Sequence, residues 1–163
     1  MPDSPNAPSR TQRPAPHIET VQPSHWPRPR GYANGMIAHG RTLHVAGQVG
    51  WEQDGTFQSD DMAFQFGRAL DNVLDVVRAA GGYPEHVVSM TVYVTDLAAY
   101  KAAAAAGLGT TWRSRFGRHY PAMALVGVAG LVEERARVEV QAVAVLPDAP
   151  EAHEDFSDME PTR

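Results

Sequence analysis

Within the segment 87–95, residues 88–95 alternate strictly between apolar and polar side chains, and this alternation constrains the fold more than any other feature of the sequence. A period of two predicts a β-strand with one buried face and one partly polar face. A sheet built around such a strand needs helices over its apolar face only. The apolar set is Val88, Met90, Val92 and Val94, and the polar set is Ser89, Thr91, Tyr93 and Thr95.

A helix is predicted directly before this strand. Ser59 is a suitable N-cap, and Asp60 and Asp61 place negative charge in the first turn, where it meets the positive end of the helix dipole. Gly81 and Gly82 end the helix as a left-handed C-terminal cap. Between these ends an apolar stripe recurs at helical spacing. Its members are Met62, Phe66, Ala69, Leu70, Val73, Val77 and Ala80.

The remaining segments complete an α+β pattern. Residues 36–39 and 42–48 read as a hairpin with Gly40 at the turn. Asp96 caps a second helix over residues 97–116, which we expect to break near Gly107 and Gly109. Residues 122–128 and 136–145 are the last two strands. We therefore predict a single mixed sheet with two helices on one face.

Length and composition limit the functions that this chain can have. The 163 residues indicate one domain at residues 26–147, between a disordered N-terminal tail at 1–25 and a disordered acidic tail at 148–163. There is no cysteine and no long apolar segment, so we expect a cytoplasmic protein without disulfides or a membrane span. The net charge of −5 argues against nucleic-acid binding. No metal-ligating histidine pair and no nucleotide-binding loop occur, so neither a metal nor a cofactor is expected.

Glu139 stands out because it lies inside an otherwise aliphatic strand. A carboxylate in that position is costly unless it is hydrogen-bonded or serves chemistry. It either positions water for catalysis or forms an ion pair with Arg135 or Arg137. The face of the sheet away from the helices is of mixed polarity, and we place Met123 and Leu125 on it. Such a face suits contact with other subunits, so we expect a homo-oligomer.

Several segments, taken in order, resemble the RidA/YjgF (Rid) family of small trimeric deaminases. They are Tyr32, residues 45–50 (VAGQVG), 69–73 (ALDNV), 80–82 (AGG), 87–96 (VVSMTVYVTD), Pro121-Ala122, and 138–144 (VEVQAVA). The resemblance implies a chorismate-mutase-like subunit, a homotrimer around a central barrel, and a small-molecule substrate in each intersubunit cleft. It also implies hydrolysis of imine or enamine metabolites, a form of metabolite repair. Glu139 and Tyr32 match the family's catalytic positions.

The sequence departs from the family at one position. Met123 follows Pro121-Ala122 where the family has the arginine that holds the substrate carboxylate. A thioether offers only apolar contact, so we expect a different substrate range, with Met123 lining the pocket or simply filling the core. Arg118 could restore anion binding or could be a solvated helix end. The alternative function is a non-catalytic ligand-binding or protein-stabilising trimer, and RNA cleavage fits the acidic charge least.

Two aromatic side chains complete the candidate substrate-binding set. Trp51 follows residues 45–50 and either stacks on a flat substrate or lies in a surface turn. Tyr93 belongs to the polar set of the strand at residues 87–95.

Overall fold

The structure is a computed structural model that describes residues 17–148. Within this range the chain forms six strands and three helices. The strands are β1 (His17–Val21), β2 (Gly35–His39), β3 (Arg41–Val49), β4 (Val87–Val94), β5 (Ala122–Gly127) and β6 (Val138–Leu146). The helices are α1 (Met62–Ala79), α2 (Leu97–Ala103) and α3 (Gly109–Phe116). None of these helices is long and apolar enough to cross a membrane.

Four strands form one mixed sheet in the order β3-β6-β4-β5. The β3–β6 and β6–β4 pairs are antiparallel, whereas β4 and β5 run parallel. The sheet and its helices confirm the predicted α+β architecture. Because β6 lies between β3 and β4, its residues have strand neighbours on both sides.

The predicted hairpin at residues 36–48 is wrong. β2 pairs with β1, and β3 pairs with β6 instead. The reason lies at Gly40. Its φ of 148° is a conformation that glycine adopts readily, and the Leu146 carbonyl oxygen leaves no space there for a side chain. The chain therefore changes direction there, and the β1–β2 ribbon stands apart from the four-stranded sheet.

The ribbon also changes the predicted boundary of the N-terminal tail. Residues 17–21, assigned to that disordered tail, form β1, since β2 provides their hydrogen-bonding partner. The rest of the two predicted tails, residues 1–16 and 149–163, lies outside the described residues.

α1 covers the sheet with the predicted apolar stripe. Its most deeply buried side chains, which are inaccessible to solvent, are Leu70, Val73, Leu74 and Val77. The helix begins later than predicted, because the N-cap is Asp61, whose carboxylate accepts from the Phe64 N–H at 2.8 Å. Gly81 has a φ of 81° and ends the helix, as predicted.

The second helical segment is broken where the two glycines weaken it. α2 ends at Ala103, a π-helical turn spans Ala104–Leu108, and α3 follows, with a φ of 135° at Gly107. α3 is anchored by Trp112, whose ring stacks on Phe116 at 4.4 Å between centroids. Arg115 joins α3 to α1 through two 2.7 Å bonds to the Asp71 carboxylate.

The parallel β4–β5 register decides which side chains of β5 face the helices. Met123 pairs with Met90 and Leu125 pairs with Val92, and both packed partners belong to the buried core. Side chains paired in register share a face, so Met123 and Leu125 lie on the helix side of the sheet. Their predicted place on the open face is therefore wrong, and Met123 fills the edge of the core.

Candidate functional site

Glu139 lies half-buried in the middle strand β6, opposite Val49 of β3 and Tyr93 of β4. Among residues 17–148 its carboxylate has no hydrogen-bond donor and no ion-pair partner. Arg135 instead bonds Asp60 at 2.9 Å, and Arg137 lines a hollow between α1 and α2. Glu139 therefore does not form the alternative ion pair with Arg135 or Arg137, and its carboxylate is available to a ligand.

Gly47 forms the floor beneath this carboxylate. The β3–β6 register shifts between Val45 and Gln48, and Gly47 lies within that irregularity. A methyl group at Gly47 would overlap the Glu139 carboxylate oxygen Oε1 and come within 2.7 Å of Cδ. Only glycine leaves room for the carboxylate in this position, so the absence of a side chain at residue 47 permits the acid to lie there.

Two amide side chains on α1 hold the strand ends that carry this site. Gln65 is fully buried, its Nε2 donates to the Arg135 carbonyl at 2.9 Å, and its Oε1 accepts from the Arg137 N–H at 2.7 Å. Asn72 Nδ2 donates to the carbonyls of Val49 and Trp51 at 2.9 and 3.0 Å. The sequence analysis missed both amides, although a glutamine within an apolar helical stripe was a visible signal.

Tyr93 is brought next to Glu139, as its strand position requires. The Tyr93 hydroxyl donates to Gln141 Oε1 at 3.3 Å, and Thr91 lies farther along the same face of β4. These groups are uncharged hydrogen-bonding partners. The surface beside Glu139 is thus polar and neutral, apart from the carboxylate itself.

Trp51 lies at the same end of the sheet, two residues beyond the Val49–Glu139 pair. Its backbone carbonyl is held by α1, and its half-buried ring packs against Phe57 at 6.4 Å between centroids. The ring borders a hollow that also includes Gln48. That hollow also includes Asp75 and Val76 of α1 but not Glu139, so a role of Trp51 in stacking on a substrate stays a prediction.

Tyr32, Met123 and Arg118 form a second group near the other end of β4. Ala33, next to Tyr32, bridges Ala122, which in turn pairs with Ser89. Four residues separate Ser89 from Tyr93, or about 13 Å along the strand. The structure therefore does not bring Tyr32 or Met123 beside Glu139 within one subunit.

Arg118 is farther still from Glu139. The next residue, His119, bonds the Val87 carbonyl through Nε2 at 2.6 Å. Val87 lies six residues before Tyr93, about 20 Å along β4. An arginine side chain does not span that distance, so Arg118 does not reach the surroundings of Glu139 within one chain.

The titratable groups with clearly shifted pKa values lie away from Glu139. Burial lowers the pKa of His86 and raises that of Tyr100, and hydrogen bonds from Thr56 lower the pKa of Asp54. Within residues 17–148 no three histidine, aspartate or glutamate side chains converge on a metal-binding point. The chemistry available at the Glu139 end is that of one free carboxylate among neutral polar groups.

Known proteins resemble the chain over most of its length. The human 2-iminobutanoate/2-iminopropanoate deaminase is 29% identical over 106 residues, which cover 64% of this chain and 73% of the human one. A Rid-family protein of unknown function, YyfB from Yersinia pestis, is 30% identical with a TM-score of 0.69, covering 79% of this chain and 98% of its own. Escherichia coli TdcF, solved with bound serine, is 26% identical with a TM-score of 0.57, covering 78% and 98%.

The model of one protein family matches residues 25–146, which include every element from β2 to β6. That family is described as Endoribonuclease L-PSP. Together with the Rid and deaminase relatives, this match places the chain in the RidA/YjgF family.

Proposed function

We propose that the protein is a hydrolytic deaminase of imine or enamine metabolites, acting in metabolite repair, with a substrate range different from that of arginine-containing relatives. The observation that carries this proposal is the Glu139 carboxylate on the inner strand β6, which lies against Gly47 and has no ion-pair partner among residues 17–148. The human relative's name as an iminobutanoate and iminopropanoate deaminase supports the reaction class. Neither a metal nor a cofactor enters the proposed chemistry.

The proposal includes a homotrimer, because one subunit does not bring all candidate side chains together. Glu139, Tyr93 and Trp51 lie at one end of the sheet, and Tyr32 and Met123 lie nearer the other. The open face also exposes Val126, 40% accessible. Packing three sheets around a barrel would cover this face and let one subunit's Glu139 meet its neighbour's Tyr32 across a cleft.

In the proposed reaction Glu139 accepts a hydrogen bond from a water molecule and takes its proton as the water oxygen bonds to the imine carbon. The C=N electron pair moves to nitrogen, which takes a proton from solvent to give the carbinolamine. Glu139 then passes its proton to that nitrogen. As the C–N bond breaks, the hydroxyl group loses its proton to solvent and forms the C=O bond, and ammonia leaves. One imine and one water molecule thus give one carbonyl compound and one ammonia. Hydrogen-bonding groups of the cleft, among them the Tyr32 hydroxyl, orient the imine.

The test compares Glu139→Gln with wild type and with a matched control, Glu134→Gln, which removes a charge from an exposed loop residue. Imines generated in the assay should release ammonia faster with wild type or with Glu134→Gln than with Glu139→Gln. Removing a general base should reduce the rate by about 100-fold or more. Equal turnover by Glu139→Gln, with an unchanged oligomer, would refute the role of the carboxylate.

A non-catalytic trimer that binds a ligand or stabilises proteins is the second candidate. The observation favouring it is that Met123 packs against the core, so that position offers no charged group to a substrate. A ligand recovered from the protein, with no ammonia released from any imine, would support this candidate over the first.

Cleavage of RNA, which the family description names, receives less support from this chain. Binding a phosphate backbone relies on clustered basic side chains. The protein has 14 lysines and arginines against 19 acidic residues, a net charge of −5.

A further inference from the structure

We infer that the substrate is an imine or enamine without a carboxylate, either neutral or protonated on nitrogen. This inference rests on the proposed function and specifies the charge of the molecule that the Glu139 site accepts. Three features of the molecule carry it: the neighbours of Glu139, the partners of the arginines, and the positions of Met123 and Arg118.

The first feature is the absence of a cationic side chain beside Glu139 within the described part of the chain. Its neighbours across the strands are Val49 and Tyr93, and Gln141 lies two residues farther along β6; all three are uncharged. Arg137, two residues before Glu139, lines the hollow between α1 and α2 instead. On β3 the nearest basic side chain is His44, which pairs with Val143. Val143 is four residues from Glu139, so His44 lies about 13 Å away along the strand.

The second feature is that no arginine near this end of the sheet pairs with Glu139 among residues 17–148. Arg68 bonds Glu52 at 2.7 Å, and Arg135 bonds Asp60 at 2.9 Å. Arg137 forms no ion pair in these residues, but it lines the α1–α2 hollow together with Asp60 and Asp61, on the helix side of the sheet. Two of the three arginines thus neutralise other carboxylates, and the third lies on the face away from Glu139.

The third feature concerns the two positions from which a carboxylate anchor could come. Met123 packs against the core and carries no charge. Arg118 is exposed, but it adjoins His119 at the Val87 end of β4, about 20 Å from the Glu139 end. Within one chain, neither offers a carboxylate beside Glu139 the paired charged hydrogen bonds that would offset repulsion. Across the proposed cleft, the neighbour's Arg118 is tested directly by Arg118→Ala.

The expected selectivity follows from Coulomb repulsion. A substrate carboxylate about 6 Å from Glu139 would be disfavoured by at least about tenfold at an effective dielectric constant of about 40, between protein and water. An iminium cation at the same place would be attracted instead. The predicted order of turnover is therefore imines without a carboxylate ahead of imino acids.

The experiment uses two imines with the same alkyl chain, made in the assay by oxidases. An amine oxidase acting on butylamine gives butan-1-imine, and an amino-acid oxidase acting on norvaline gives 2-iminopentanoate. The rate of ammonia release above the spontaneous rate, measured without the added protein, reports the hydrolysis of each imine. The full-length protein and Arg118→Ala are compared at equal subunit concentration.

We expect kcat/KM for butan-1-imine to exceed that for 2-iminopentanoate by at least about tenfold, with the same preference in Arg118→Ala. A preference for 2-iminopentanoate would overturn the inference and leave the deaminase proposal intact. If that preference vanished in Arg118→Ala, Arg118 would be the anion anchor. Acceleration of neither imine would refute the proposed function, and the inference with it.

Discussion

Replacing Gly47 by alanine tests how the Glu139 carboxylate is held. The new methyl group would overlap Oε1 and lie 2.7 Å from Cδ and 3.0 Å from Cγ of Glu139. Real Cβ atoms do not approach that closely, so the acid must move. Overpacking costs about 1–3 kcal/mol of unfolding free energy in a core, and we expect the lower end, about 1 kcal/mol, because the displaced atoms end a flexible, half-buried side chain. A displacement of about 1 Å at a catalytic group lowers kcat by about 100-fold.

A double-mutant cycle separates this contact from a general effect on the bulge. In a Glu139→Ala background the three overlapping atoms are gone, so Gly47→Ala should cost little there. We expect a coupling energy of at least about 1 kcal/mol between the two substitutions. Gly130→Ala is the matched control, because nothing lies within 4 Å of its added methyl group.

The assay is urea unfolding followed by tryptophan fluorescence, at one chain concentration because the proposed assembly would contribute to stability. The reasoning predicts a loss of stability in Gly47→Ala and little change in Gly130→Ala. If Gly47→Ala lowered the free energy of unfolding equally in wild type and in the Glu139→Ala background, the contact would be refuted. Unchanged stability and unchanged turnover in Gly47→Ala would refute it as well.

Two further predictions concern groups outside the Glu139 end. The Tyr83 N–H donates to His86 Nδ1 at 3.1 Å, and burial lowers the pKa of His86 below its ordinary value of 6.5. His86 therefore stabilises the fold fully above pH 6.5, and this contribution is lost as the pH falls from 6.5 toward the lower pKa of the folded state. Urea midpoints from pH 8 to 5 should show the decline in wild type and a weaker one in His86→Asn. Met123→Arg should lower the free energy of unfolding by about 2 kcal/mol, because it directs a charge at the core. Met123→Leu keeps an apolar side chain of similar volume and should lower the free energy of unfolding by less than about 1.5 kcal/mol. Equal urea midpoints for the two Met123 variants would show that the side chain does not pack as described.

The elements with a strong repeat could be predicted from the sequence. The alternation in β4 from Ser89 onward, the stripe of α1 and the glycines at 81 and 107 each depend on neighbours within a few residues, and the structure agrees with them. At the start of β4 a register shift buries Val87 and leaves Val88 half-buried, so the predicted place of Val88 on the buried face is wrong. The mixed sheet also followed, because the order of strands and helices leaves few ways to cover one apolar face.

What the sequence could not show depends on register and on distant partners. The side of the sheet on which Met123 lies is set by its pairing with Met90, and a shift of one residue would reverse it. β2 does not form the predicted hairpin with β3, because it pairs with β1. The segment that contains β1 has a polar composition and gave no signal of a strand. The contact of Glu139 with Gly47 joins two strands that are far apart in the sequence, and no local pattern indicates it.

The shared cleft is the central claim, and mixing two inactive variants tests it most directly. Glu139→Gln and Tyr32→Ala should each be inactive as pure proteins and should each assemble like wild type, at about three times the 17.7 kDa chain mass. In an equal mixture assembled together, about one cleft in four combines an intact Glu139 with an intact Tyr32 from the neighbouring subunit. The account predicts recovery of about a quarter of wild-type deaminase activity in that mixture. No recovery, from a mixture shown by mass to contain both chains in one oligomer, would contradict it.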